Sequence, residues 1–502
     1  MSSVLRHADL PGSIGLLQPS DPVRAAIAEI DAGTPKLCLV VSSDGKLLRT
    51  VTDGDIRRGL LSGVGLDEPL GKLPGRDPIR ANRAASVQEL RKLVQDHNVA
   101  AVVLVDDDDR PVDVRQAAQI DLPVLLSSPH IGDAEARYVQ QAFDTNWIAP
   151  AGPNLTLFER RLAEISGRRE AVAVSSGTAG LHLALRALDL PKASRVYVAD
   201  KTFAATVQPI FYEGLVPVLI DAEPQSWNLS ADALERKLDR DNRANRLPGA
   251  IIAVHLYGQS AEMRRIMAAA ERYSIPVIED AAESLGARYD NLASGAHGLI
   301  SVYSFNGNKI ITTSGGGAVV TDDATIAERI RHLSTQGREP YDHYQHVDVA
   351  YNYRMSNILA GVGLGQLEVL QDRVEQRRAI FERYQSALSG IRGVGFQQDF
   401  PEARGNRWLT VATFDPDQIG IHPYQIMRAL RNKGIETRPS WKPMHMQPLL
   451  QGAEFVPHSD NEAVSSRLFL QALCLPSGSN MSRDQQDRVI GNLVGILQEG
   501  GL

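Results

Sequence analysis

The sequence is poor in cysteine: its 502 residues include two, Cys38 and Cys474, far apart and without metal-ligand spacing. That excludes a disulfide framework and a structural zinc site, so no metal is expected, and it fits a reducing compartment. Long apolar runs are missing too. No stretch approaches the roughly 18 residues that a membrane span requires, and residues 1–10 carry charges where a secretory signal has an apolar core. Strong charge of one sign is also lacking. A net charge of −7 gives no electrostatic basis for binding nucleic acid or an anionic membrane. What remains is 43% apolar and 23% charged, the balance of a globular protein. The expectation is a cytoplasmic chain, too long for one core and therefore of two or three domains.

Residues 1–120 read as two successive units. The first has a helical pattern (22–30), a strand (37–41), a turn at Ser42-Ser43-Asp44-Gly45, a second strand (47–51) and a helix opening near Asp55. About 65 residues on, a helix (87–95), a strand (100–105), an acidic turn (106–109) and 111–114 repeat that order, which predicts an internal pair packing half against half. The run Thr50-Val51-Thr52-Asp53-Gly54-Asp55-Ile56-Arg57-Arg58 resembles the signature of CBS domains. The resemblance implies an adenine nucleotide between the halves, with Thr52 and Asp55 on its ribose. Arg49 stands where such domains usually have glycine, and the second unit lacks the Thr-x-x-Asp pattern. The other reading is that Asp53 and Asp55 cap the helix and the module serves assembly. The boundary is expected near 118–123.

Beyond it, short continuous apolar strands at 171–174, 195–198, 216–220, 250–255, 276–278 and 300–303 alternate with helices such as 179–188 and 261–273. Asp133 reads as the N-cap of a helix with Ala134, Tyr138, Ala142 and Phe143 on one face. Continuous rather than alternating apolar strands predict an α/β fold, a mostly parallel sheet covered on both faces, with ligands beyond the strand carboxyl ends. Three features fall at such ends. Ser175-Ser176-Gly177-Thr178 lies between a strand and a helix N-terminus, where free N–H groups and hydroxyls form a phosphate cup. Asp280 ends a buried run, where a carboxylate is costly unless it is paired. Lys309 sits in a loop between an apolar run and Gly315-Gly316-Gly317, a candidate Schiff-base nucleophile. Phosphate cup, strand-end Asp and loop Lys together match what pyridoxal phosphate needs. From 340 on, a long helical pattern (356–388) leads to a strand (407–414), a helix (423–433), an extended segment (436–443) and a last helix opened by Ser482 and Gln485.

Residues 122–496 resemble the DegT/DnrJ/StrS family of sugar-nucleotide aminotransferases, most closely the 4-aminotransferases of UDP-N-acetylbacillosamine-type pathways. The resemblance is carried by Asn146-Trp147-Ile148-Ala149-Pro150, Ser175 to Ala179, His255-Leu256-Tyr257-Gly258-Gln259-Ser260, Glu279 to Ser284, Phe305 to Gly317, Tyr351-Asn352-Tyr353-Arg354-Met355 and Trp441-Lys442-Pro443-Met444-His445. It implies a fold-type-I pyridoxal 5'-phosphate enzyme, with a large cofactor-binding domain over 121–370 and a small α+β C-terminal domain over 371–502. Lys309 matches the lysine that holds the cofactor covalently and then moves protons. Asp280 matches the partner of the pyridine nitrogen. Ser176, Gly177, Thr178 and Ser304 match the phosphate cup, and Phe203 matches the aromatic stacked on the ring. Glu283 lies near the ring's 3'-oxygen, where many relatives carry Gln or His. Asn352 matches a residue reaching in from a neighbouring subunit, so a homodimer or larger homo-oligomer is implied. Arg407, Arg438 and His445 are candidates to face the nucleotide sugar. The implied reaction moves an amino group, with glutamate as donor, to a UDP-linked 4-keto-6-deoxy-N-acetylhexosamine. Alternatives are a 3-keto or dTDP-linked substrate, or a nucleotide-sensing regulatory protein. Relatives with His in place of the lysine remove hydroxyl groups, which Lys309 argues against.

Overall fold

The computed structural model describes residues 14–33, 35–75, 77–97, 99–117, 123–460 and 462–499. They fall into two compact units, Met1–Pro123 and Val124–Leu502. The boundary segment expected near 118–123 lies, up to residue 122, outside the described residues.

In the first unit one arrangement occurs twice. Leu37–Val41 pairs parallel with Leu16–Leu17 and antiparallel with Leu47–Thr52. Ala101–Val105 pairs parallel with Arg80–Asn82 and antiparallel with Pro111–Gln116. Even the irregularity is repeated, with register slips at Val40/Val41 and at Leu104/Val105. Leu37, Leu39, Val41 and Leu47 share one buried cluster with Val103, Val105 and Val114, so the two halves close on each other. Thr52 caps the helix Asp53–Leu61. Its N–H and hydroxyl both donate to Asp55 Oδ2, at 2.9 and 2.7 Å, and Arg58 takes Oδ1 at 2.6 Å. Both oxygens of Asp55 thus accept hydrogen bonds from within the chain.

The second unit is organised by an eight-stranded sheet. Its strands are β1 (Glu170–Val174), β2 (Arg195–Ala199), β3 (Val216–Ile220), β4 (Ala250–Val254), β5 (Val277–Asp280), β6 (Ile300–Ser304), β7 (Gly317–Thr321) and β8 (Glu454–Val456). Their spatial order is β8-β3-β2-β4-β5-β6-β7-β1. β7 runs antiparallel to both of its neighbours, and every other adjacent pair is parallel. The continuous apolar strands are explained by burial on both faces. Ala171, Ala173, Ala318 and Val320 enter one core cluster, while Val172, Val174 and Val319 enter another. A four-stranded antiparallel sheet (Val394–Phe396, Thr410–Phe414, Ala472–Leu475, Arg438–Pro439) forms the smaller C-terminal part. Among the described residues no helix is long and apolar enough to cross a membrane.

Several expectations are corrected. The helical pattern over 356–388 is two helices, Asn357–Glu368 and Leu370–Leu388, because Val369 leaves helical geometry at φ −111°, ψ 7°. Asp133 is the first helical residue and not the cap; Gly132 takes that place, its N–H donating to Glu135 at 2.9 Å. Phe143 is 57% exposed instead of buried with its helix face. Two backbone pairings link residues before and after 370. β8 returns from the C-terminal part to the edge of the main sheet, and Val124 bridges to Ile435 of the C-terminal part.

Candidate active site

Sheet register brings the phosphate cup to the lysine loop. Ser304 ends β6 and pairs with Gly317 of β7, which pairs in turn with Val174 of β1. One row across three strands therefore sets Ser304 beside the turn that follows Val174. That turn enters α1 (Gly177–Ala187), whose N-cap Ser176 accepts the Ala179 N–H at 3.0 Å. The first-turn N–H groups of Gly177 and Thr178 have no partner within the helix and point off its end. The approach is close enough to require glycine. A Cβ on Gly317 would lie 2.6 Å from Gly177 N, and one on Gly177 would lie 3.0 Å from Ser304 Cβ.

Lys309 is no surface lysine, since its side chain is 13% exposed. A turn closed by its N–H on Asn306 O (2.9 Å) carries it back over the sheet end. Its Nζ lies 3.4 Å from Glu283 Oε1 and 4.1 Å from the centroid of the Trp408 ring. Trp408 is itself fixed, donating from Nε1 to Asn308 O at 2.6 Å. Glu283 accepts the Tyr257 N–H at 2.7 Å through its other oxygen. Burial raises the Glu283 carboxyl above its ordinary range, and the Lys309 ammonium pulls the other way. Trp441 extends this wall, with ring centroids 5.7 Å from Tyr257 and 5.7 Å from Phe203.

Asp280 closes β5 almost fully buried, accepting from the Thr206 hydroxyl at 2.7 Å and the Ala282 N–H at 3.1 Å. Its neighbour Glu279 anchors the strand end from the other face. Glu279 accepts the N–H groups of Gly295 (3.0 Å), His297 (2.7 Å) and Gly298 (2.5 Å), the Ser301 hydroxyl (3.0 Å) and His255 Nε2 (2.8 Å). His255 Nδ1 accepts the Ala261 N–H, so the ring proton sits on Nε2 and donates to Glu279. The strand-end Asp is thus held by a five-donor carboxylate one residue before it, a feature unread in the sequence.

The remaining expected residues separate. Phe203 is 58% exposed beside Trp441, which places it outside the core and at the mouth of the site. Asn352 is exposed on a segment bridged to Thr335. Arg438 is exposed and paired with Glu436 at 2.8 Å. Arg407 is not brought to the site. Its guanidinium is buried 3.8 Å over the Phe381 ring and donates to Gln397 O (3.0 Å) and Asp399 (2.8 Å). The residue after it, Trp408, is the one that meets Lys309. His445 is also committed, to Asp200 (2.8 Å) and Ser466 (3.0 Å), while stacking on Phe455. Among the described residues no group of three or more His, Cys, Asp or Glu is placed to hold a metal ion.

The profile of the DegT/DnrJ/EryC1/StrS aminotransferase family matches residues 129–494. The chain belongs to this family. EpsN of Bacillus subtilis (strain 168), which carries the name of a pyridoxal phosphate-dependent aminotransferase, is 52% identical over 374 residues, 74% of this chain and 96% of the relative. A GDP-perosamine synthase of Caulobacter vibrioides is 33% identical over 380 residues, 75% of this chain and 99% of the relative. The crystal structure of a DegT DnrJ EryC1 StrS aminotransferase from Brucella abortus superposes with a TM-score of 0.67 at 29% identity, covering 72% of this chain and 95% of that one. This family member is therefore a pyridoxal phosphate-dependent sugar aminotransferase of the type-I fold.

The residues present fit that cofactor. The glycine-lined cradle has backbone N–H groups free for a phosphate, a buried carboxylate stands at the neighbouring strand end, and a shielded amine lies 3.4 Å from Glu283. One consequence is testable on the cradle alone. Gly317→Ala must push the Ser176–Gly177 backbone off β7, because the new methyl would meet main-chain atoms and not a mobile side chain. Such overpacking costs about 1–3 kcal/mol. Spectral titration of the cofactor-free variant with pyridoxal phosphate should show affinity at least about tenfold weaker than wild type, since the distortion falls on the phosphate cradle.

Proposed function

We propose that this aminotransferase moves the amino group of L-glutamate to C4 of a UDP-linked 4-keto-6-deoxy-N-acetylhexosamine, in the making of a bacterial surface glycan. The observation that carries this choice is Glu283, 3.4 Å from Lys309 Nζ. A glutamate there resembles the bacillosamine-type 4-aminotransferases, where many relatives carry Gln or His.

When bound, pyridoxal phosphate supplies an electron sink for the carbon that loses its proton. The rest is done by the chain. Ser176, Gly177, Thr178 and Ser304 hold the phosphate with backbone N–H groups and hydroxyls. Asp280 would pair with the cofactor's ring nitrogen, and Phe203 would stack on its ring. Lys309 would hold the cofactor covalently, and its Nζ, when free, would be the base for the α-proton of glutamate and the acid that returns a proton to the sugar carbon. Glu283 and the face of Trp408 keep Nζ over the site between these transfers. Asn352 completes the site from the second subunit of a homodimer.

The GDP-perosamine synthase relative favours a second reading, a GDP-linked ketosugar. A panel of UDP-, dTDP- and GDP-linked 3-keto and 4-keto sugars, with each product solved by NMR, separates the two. The proposal expects the UDP-linked N-acetylated 4-keto sugar to be aminated at C4 with a kcat/KM at least about tenfold above the others, a gap of about 1.4 kcal/mol in transition-state binding. Preference for a GDP-linked sugar, or amination at C3, contradicts it.

A further inference from the structure

Two threonine hydroxyls lie behind Asp280 in a line. Thr202 Oγ1 is 2.6 Å from Thr206 Oγ1, and Thr206 Oγ1 is 2.7 Å from Asp280 Oδ2. Both threonines are about 1% exposed, so water cannot replace either hydroxyl. Each hydroxyl has one proton to give. Thr206 gives its proton to Asp280, so Thr206 Oγ1 must accept from Thr202. The chain of donation therefore runs one way, toward the carboxylate. With the Ala282 N–H on Oδ1 at 3.1 Å, it fixes both oxygens of Asp280.

The placement follows from a short stretch of sequence. β2 ends at Ala199, and helix Ala204–Tyr212 begins with Phe203 as its N-cap. Thr202 and Thr206, four residues apart, turn inward under the sheet end, while Phe203 between them is 58% exposed. One turn of chain thus presents an aromatic ring to the mouth of the site and two hydroxyls to the carboxylate beneath it.

We propose that Thr206, backed by Thr202, is a positioning residue that orients Asp280 toward the cofactor ring. The inference rests on the reading of Asp280 as the partner of the ring nitrogen. Thr206→Val keeps the shape and removes the donor, leaving Oδ2 buried without its hydrogen bond. A hydrogen bond to a charged group is worth enough that its loss is felt about tenfold or more. Thr206→Ser keeps the hydroxyl.

The test titrates cofactor-free protein with pyridoxal phosphate, followed by its visible absorption, and measures kcat and KM on the loaded enzyme. Thr206→Val should lose about tenfold or more in cofactor affinity and in kcat, with KM for the nucleotide sugar unchanged, because Thr206 acts through Asp280. Thr206→Ser should stay within about twofold of wild type, and Thr202→Val should show a smaller loss in the same direction. A Thr206→Val protein matching wild type in both readouts overturns the proposal, as does a Thr206→Ser protein as impaired as the valine variant. Should Thr206→Val not accumulate as folded protein, Thr202→Val decides: a loss supports the relay, and wild-type behaviour overturns it. Asp280→Asn separates the two levels. If it is impaired while Thr206→Val is not, the relay alone falls; if it matches wild type, the reading of Asp280 falls and takes the relay with it.

Discussion

Lys309→Ala should lose amine transfer to every nucleotide ketosugar tested, by about 10²- to 10⁴-fold or more, the range that a positioned general base supplies. Steady-state release of the 2-oxo acid from glutamate measures it. The size of the loss follows from the surroundings of Nζ. The side chain is shielded, its amine is held 3.4 Å from Glu283, and the Trp408 ring closes its far side at 4.1 Å. Tyr257, Trp441 and Phe203, which line the same wall, supply only rings and a phenol. The fold should survive, because burial already raises the Glu283 carboxyl and loss of the Lys309 cation raises it further, which lowers the cost of neutralising it. A variant that melts with wild type yet transfers no amine places the loss in chemistry. A variant with near wild-type turnover removes Lys309 from the mechanism.

The second large effect is on stability and lies one residue from the site. Burial alone would raise the Glu279 carboxyl, but the His255 hydrogen bond, with the imidazoles of His255 and His297 and the Gly298 N–H, overrides it and holds the group down at about 2. Against an ordinary glutamate near 4.5, that is a contribution of about 3 kcal/mol to the folded state. Because the folded value is depressed, this stability is fully present above pH 4.5 and is lost as the pH falls toward 2. Glu279→Gln would turn an amide donor toward groups that are themselves donors. Each buried donor left without an acceptor costs about 1–3 kcal/mol. Urea unfolding followed by tryptophan fluorescence reports on the second unit, which holds all four tryptophans, Trp147, Trp227, Trp408 and Trp441. The expected result is a variant about 3 kcal/mol less stable at pH 7 whose stability falls less steeply than wild type between pH 4.5 and 2. Equal stability at pH 7 would show that the five donors do not hold the strand end.

What could be read from the sequence was whatever repeats or punctuates. Continuous apolar strands announced a sheet buried on both faces, and the cup, Asp280 and Lys309 could be set at strand ends because each interrupts such a run. The residues that support them were not legible, because they are brought close only by sheet order. Glu279 gathers donors from 255 and 295–301, and β8 reaches β3 from more than 200 residues away. Thr206 carried a weak signal, its four-residue spacing from Thr202 at a helix start. The Arg407–Trp408 pair shows a different limit. Charge drew attention to Arg407, but its positive φ of 54° turns the guanidinium inward to Asp399 and leaves Trp408 over Lys309. The helix break at Val369 had no glycine or proline to mark it.

The measurement that bears most directly on the site has a built-in competitor. Lys201 is also buried, with Nζ on Ser440 Oγ (3.1 Å) and the Trp441 carbonyl (3.1 Å), and burial lowers its amine to about 7. It sits behind the same aromatic wall and is a chemically plausible attachment point for an aldehyde. Borohydride reduction of the cofactor-loaded enzyme, followed by peptide mapping, reads which lysine holds pyridoxal phosphate. The reduced cofactor should be found on the peptide carrying Lys309 and be absent from that carrying Lys201. Label on Lys201, or a loaded enzyme in which Lys309 stays unmodified, would contradict the site described.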